Sequence, residues 1–432
     1  MEKRVLPALM FLLIYAPKVG GQLDTLSVFC FLIFLWSFFR SKKLSTPSYL
    51  TSPTFKYVFF AVLMLGYAVI LFAVYGLKDT FQILRFGRII INILGIFGLV
   101  RIYYSYYRED LGRVLLFHLW LCIISHAFII MLMFLVPPVN NFVLTQLVQL
   151  DEGNRSFEAR ILGNRIGGLT GSWDAASGIQ SLGILMLPFV FTYVGNNKGK
   201  RRLIYLTIPL SLGSIFLSGV TGLVNIGIIG VVFLVFHFRE LKKYVLRFVG
   251  VITFVILIGG VAYDYMMNHH PDLIVETSIG RTLFMVTQNK ELSTSSKRGS
   301  TAAETIDKIG SEMYFLPKDD QTLLFGRGGS GRVDYLIKAD TGPTLNLHNL
   351  GIFFVAILYL YCAFIAFKAL KSSRKDLYMG MGISAVILTV LIIDAKVAYL
   401  LARQSLSIML IAYFSLFWLY EQRKSQTRFN LN

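Results

Sequence analysis

The residues best suited to chemistry in this 432-residue chain stand at the edges of long apolar runs. His348 and Asn349 sit where a polar stretch gives way to an apolar one. A histidine there can serve as a general base, because its ordinary pKa lies near neutrality. Asp340, eight residues earlier, is the competing base or orienting carboxylate, with Glu158 and Asp174 behind it. Arg85 and Arg88 stand inside an apolar run, and a spacing of three puts both on one helical face. Charge at membrane depth is costly, so such groups usually face a cavity or a partner. Arg85 could instead snorkel to the interface; Arg88, a turn deeper, is harder to explain that way. Arg155, Arg160 and Arg165 are interleaved with and followed by glycines. The run Phe325-Gly-Arg-Gly-Gly-Ser-Gly-Arg332 adds Arg327 and Arg332 to a segment rich in backbone N–H groups. Guanidinium forks and clustered N–H groups suit phosphate. Asp394 and Arg403 are read as a pair near Lys396.

These residues need a scaffold, and the composition names it. The chain is 55% apolar and 15% charged, with runs of spanning length throughout, so an all-α, polytopic membrane protein is expected. Apolar runs predict about twelve spans: 5–19, 24–39, 56–76, 82–103, 114–136, 175–194, 203–218, 221–238, 247–263, 348–367, 378–394 and 398–420. They divide the chain into helices over 1–136, a polar loop at 137–174, helices over 175–263, a large polar loop at 264–347, and helices with a tail over 348–432. Thr301–Ile309 within the large loop has the spacing of a surface helix.

Lysine and arginine collect in alternate loops, among them Arg40/Lys42/Lys43, Lys198/Lys200/Arg201/Arg202 and Lys368/Lys371/Arg374/Lys375. That asymmetry places both termini in the cytoplasm and both long loops outside. It also explains the net charge of +18 without nucleic acid, for which no binding motif is present. The three cysteines lie inside apolar runs and read as packing residues. His118 and His126 are expected to bond within the helix bundle, and His269-His270-Pro-Asp272 has no second cluster, so no metal site is expected. Gly326–Arg332 lacks the Gly-Lys-Ser/Thr ending of a P-loop, and an outer face has no nucleotide supply. Energy for any reaction must arrive in the substrate, and no cofactor is expected.

Two long outer loops, one after the fifth span and a larger one before the last three, resemble those of the O-antigen polymerases (Wzy) and the related O-antigen ligases. Arg160 followed by ten residues and Gly171 is similar to the Arg-x10-Gly pattern of the polymerases, and Arg332 precedes Gly342 by nine. Leu324-Phe-Gly-Arg-Gly, Asp340-Thr-Gly and Gly351 look like the polymerase pattern LFGxG…DxG…G, whereas His348-Asn349 is similar to a ligase pattern. The resemblance implies a bacterial inner-membrane enzyme with a fold similar to GT-C-type glycosyltransferases. It implies transfer of a growing glycan from one undecaprenyl diphosphate carrier to the next lipid-linked repeat on the periplasmic face. Its partners would be that lipid-linked oligosaccharide, membrane lipids and a chain-length regulator. His348 or Asp340 would be the base of a metal-independent, inverting transfer, and Arg160, Arg85, Arg88, Arg327 and Arg332 would hold the diphosphate. A ligase acting on lipid A core is the alternative. A flippase is a weaker one, since transport needs no long outer loop.

Overall fold

The computed structural model describes residues 3–15, 25–40, 47–148, 166–170, 172–219, 221–237, 268, 313–329 and 341–429. Regular structure among them is helical throughout. The first half holds α1 (Leu6–Tyr15), α2 (Thr25–Arg40), α3 (Ser48–Tyr75), α4 (Phe81–Tyr106), α5 (Leu111–Leu135) and the short α6 (Pro137–Phe142). After the first long loop come α7 (Trp173–Gln180), α8 (Leu182–Leu185), α9 (Leu187–Val194), α10 (Lys198–Ser218) and α11 (Thr221–His237). The last part holds α12 (Asp320–Phe325), α13 (Gly342–Ser372), α14 (Leu377–Lys396) and α15 (Arg403–Phe429).

Among the described residues, α3, α4, α5, α13 and α14 are long and apolar enough to cross a membrane, and the bent run α7–α9 makes up to six. The chain is therefore a helical membrane protein. Where the sequence predicts one straight span at 175–194, the helix bends by 42°. Pro188 stands at the start of α9, where its missing N–H and its ring interrupt the ladder. The expected span at 247–263 and the surface helix at Thr301–Ile309 lie outside the described residues.

Helix ends follow local chemistry. Gly76 closes α3 in the left-handed region at φ 58°, returning its N–H to Phe72. The carboxylate of Asp376 caps α14 by accepting from Met379 N–H at 3.1 Å. Burial sorts the layers: 22% of the most apolar window of α3 and 28% of that of α13 are buried, against 72% for α14. Thus α14 runs through the bundle, while α3 and α13 turn broad apolar faces outward, Phe59, Ile70, Phe353 and Leu360 among them. The core joins Leu99, Leu115, Leu119, Ile123, Ile387, Ile411 and Phe414 from α4, α5, α14 and α15. Helices α2 and α4 approach closely because Gly95 faces Cys30, whose Cβ would lie 2.4 Å from any added methyl.

Candidate functional site

The site begins at a break in α13. Gly351 has φ 76° and ψ 168°, a conformation open essentially only to glycine, and it divides the helix in two. A helix that stops leaves its last carbonyls without intrahelical donors. Here the freed carbonyls of His348 and Asn349 accept the N–H groups of Arg327 and Gly328, each at 2.9 Å. The two backbones touch: a methyl on Gly351 would lie 2.3 Å from the Leu324 carbonyl oxygen. Gly326, Gly328 and Gly329 all have positive φ, which lets the chain follow the helix end so closely. Tyr67 of α3 donates to the Phe325 carbonyl, and Gln82 of α4 donates to the Gly329 carbonyl at 2.8 Å. The glycine segment is thereby stitched to three helices.

This docking takes up part of the segment read as a phosphate cradle, whose residues 330–332 lie outside the described ones. The N–H groups of Arg327 and Gly328 are occupied by helix carbonyls. The Arg327 side chain is also engaged, with Thr322 Oγ1 at 2.8 Å and Asp319 Oδ2 at 3.1 Å. Asp319 caps α12, and hydrogen bonds from the Thr322 hydroxyl and N–H, with Arg327 beside it, hold its carboxyl below the usual carboxylate range.

His348 stands on the turn before the break and is half-buried. The Phe315 ring meets its ring edge-on at 5.2 Å. Nε2 is enclosed and without a hydrogen-bond partner. The same stretch is tied down by Thr341 and Thr344, whose hydroxyls donate to the Met313 carbonyl at 3.0 and 2.9 Å. The helix already starts at Gly342, six residues before the predicted span, so His348 is held in a helical turn rather than at a loop end.

A buried carboxylate lies beside this turn. Asp394, on α14, accepts from Tyr399 and Leu400 N–H at 2.7 and 2.6 Å and from the Tyr359 hydroxyl at 2.5 Å. Gly342 abuts it so closely that a methyl would fall 2.2 Å from Oδ1. The expected pairing with Arg403 involves a side chain outside the described residues. Arg85 of α4 interacts electrostatically with Asp394 and with Tyr359. Among the described residues Arg85 makes no hydrogen bond or ion pair; it lies over the Phe81 ring at 5.8 Å. Its guanidinium donors remain available to an anion. Arg88 is half-buried one turn further along the same face.

The end of the first long loop reaches the same edge of the bundle. Lys396, which follows Asp394 on α14, pairs with Asp174 at 2.6 Å and donates to Thr221 at 3.0 Å. Gln404 donates to the Leu169 carbonyl at 3.3 Å. His126 behaves as expected, bonding inside the bundle: Nε2 accepts from Leu169 N–H at 3.0 Å, and Nδ1 meets Gln180 at 2.7 Å. His118 likewise bonds Tyr103 at 2.8 Å. Asp174 therefore acts as an ion-pair partner in this state. Arg155, Glu158, Arg160 and Arg165 of the first loop, and Arg332 and Asp340 of the second, lie outside the described residues, as do His269 and His270.

Of the predicted site residues, the fold brings His348, Arg327 and Arg85 to one edge. Sequence reasoning missed Gln82, Asn346, Tyr359 and the part played by Asp394. A signal existed for two of them: Gln82 is a polar residue one turn before Arg85, and Asn346 stands two residues before His348. Among the described residues no cluster of histidine, cysteine, aspartate and glutamate could hold a metal ion.

These features define an all-helical membrane protein with a polar site at one end of its bundle. No family model and no curated protein matches the chain.

Proposed function

We propose that this protein is an inner-membrane glycosyltransferase. It would polymerise undecaprenyl-diphosphate-linked oligosaccharide repeats, as O-antigen polymerases do, from the periplasmic side of about twelve GT-C-like spans with both termini in the cytoplasm. The observation that carries the reading is His348, held on the helical turn just before the break at Gly351 with an enclosed Nε2 that has no hydrogen-bond partner. In the proposed reaction Nε2 takes the proton of an acceptor hydroxyl. The oxygen attacks the anomeric carbon of the donor sugar from the face opposite the diphosphate. The bond between that carbon and the diphosphate oxygen breaks, and its electron pair leaves with the carrier, so configuration inverts. Arg85 supports this step with free donors beside the site, and fixed guanidinium groups stabilise a diphosphate leaving group without reorganisation. Arg88, and Arg160 and Arg332 from the outer loops, complete the diphosphate set in this reading. Arg327 contributes by holding the glycine segment through Asp319. Asp340 is the reserve base.

Loss of the base should cost about a hundred- to ten-thousand-fold in turnover. We expect His348→Gln, like His348→Ala, to reach the membrane at normal levels and leave cells with a single capped repeat on the surface. Long glycan made at the normal rate by the Gln variant would remove His348 as base and pass the role to Asp340. A second reading, the ligase, rests on the likeness of the His348-Asn349 pair to a ligase pattern. Loss of a ligase would instead leave long glycan on the carrier.

A further inference from the structure

Two buried carboxamides at the site each use their NH2 group and leave their carbonyl oxygen unpaired. Gln82 is 2% exposed, and its Nε2 donates to the Gly329 carbonyl at 2.8 Å. Only an NH2 group can make that bond, so Oε1 is fixed as the remaining acceptor, and it has no partner. Asn346 is 1% exposed, and its Nδ2 donates to the Tyr359 hydroxyl at 3.2 Å. The proton of that hydroxyl is committed to Asp394, so Asn346 must present its NH2, and Oδ1 is left without a partner. An enclosed acceptor left unsatisfied costs about 1–3 kcal/mol. Two of them, both locked in orientation, stand at one site.

Their positions are linked twice. Gln82 holds Gly329, and Asn346 lies one helical turn before Asn349, whose carbonyl accepts from the neighbouring Gly328. Arg85, one turn from Gln82, interacts electrostatically with Tyr359, the hydroxyl that Asn346 holds. Gln82 therefore meets the glycine segment directly, Asn346 lies one turn from the carbonyl on which that segment docks, and Arg85 interacts with the hydroxyl that Asn346 holds.

We propose that Gln82 and Asn346 form a carbohydrate subsite, their carbonyl oxygens accepting O–H or N–H donors of the sugar attached to a diphosphate held by Arg85. The proposal rests on the reading of the protein as a user of lipid-linked oligosaccharide. Asp394 acts in it as a positioning residue, setting the Asn346 amide through Tyr359. Both acceptors are enclosed in this structure, and sugar binding supplies their missing hydrogen bonds as the enclosing side chains make way.

The test uses the full-length protein in nanodiscs and two probes: undecaprenyl diphosphate alone, and the same carrier bearing a single N-acetylglucosamine. Wild type should bind the glycosylated carrier more tightly. Asn346→Leu and Gln82→Met keep volume and remove the carbonyl. Each should weaken binding of the glycosylated carrier about fivefold to tenfold, one hydrogen bond's share, and leave the bare carrier unchanged. Tyr359→Phe, which frees the Asn346 amide to turn, should give part of the same loss. Arg85→Ala should weaken both probes equally. Equal loss on both probes in Asn346→Leu and Gln82→Met would make the two residues structural and overturn the subsite. So would a wild type that does not distinguish the probes, and this result would leave the diphosphate reading standing. Binding of neither probe to wild type would overturn that reading and the subsite with it.

Discussion

Replacing Gly351 by alanine tests whether the break in α13 builds the site. The native conformation, φ 76° and ψ 168°, costs a side-chain-bearing residue about 1–3 kcal/mol. The added methyl would also lie 2.3 Å from the Leu324 carbonyl oxygen and 2.6 Å from two backbone carbons, which cannot move aside as a side-chain tip can. Alanine favours the uninterrupted helix, in which the carbonyls of His348 and Asn349 return to intrahelical donors. Arg327 and Gly328 then lose their acceptors, at about 1 kcal/mol for each bond. Together the terms move the docking equilibrium by about 3–5 kcal/mol, two to more than three orders of magnitude. Limited proteolysis of the purified protein reads this directly, since Lys318 and Arg327 are trypsin sites within the docked segment. We expect rapid cleavage there in Gly351→Ala, normal insertion into the membrane, and loss of long glycan in cells. Wild-type resistance to trypsin together with wild-type glycan would refute the argument that the break holds the segment.

Three shorter predictions follow from the same geometry. Arg85→Lys keeps the charge but loses the planar fork, so polymer synthesis should fall at least tenfold with protein levels unchanged; a normal rate would take Arg85 out of the site. Asp319 has a folded-state pKa depressed below its unfolded value of about 4, so its contribution to docking is present above that pH and is lost as pH falls through the lower folded value. Pepsin cleavage of 313–329 should therefore steepen below about pH 4 in wild type and be flat with pH in Asp319→Asn; an unchanged profile would separate Asp319 from docking. The proposed orientation predicts that cysteines introduced at Asn154 and Ser300 react with an impermeant reagent in intact cells, while those at Ser41 and Arg374 do not. Labelling at Arg374 would invert it.

The sequence by itself determined the material and much of the placement. Apolar runs are a local property, so α4 and α5 appear within a few residues of where their patterns put them. The depth of Arg85 in its run was equally legible, because hydropathy and helical spacing are both read along the chain. Only the tertiary structure decided what the polar groups do. Gly351 sits in an apolar run and gives no sign that the helix breaks there; the break is stable because a segment more than twenty residues earlier supplies N–H groups to the freed carbonyls. Asp394 accepts from two nearby N–H groups and from Tyr359 of another helix, partners that no spacing along the chain announces. Lys396 turns to Asp174, 222 residues away in the chain. A helix's period tells which face a side chain shares, but a buried polar group takes whichever donor or acceptor the packing brings within about 3 Å. That choice is made between helices, where a reading along the chain has no access.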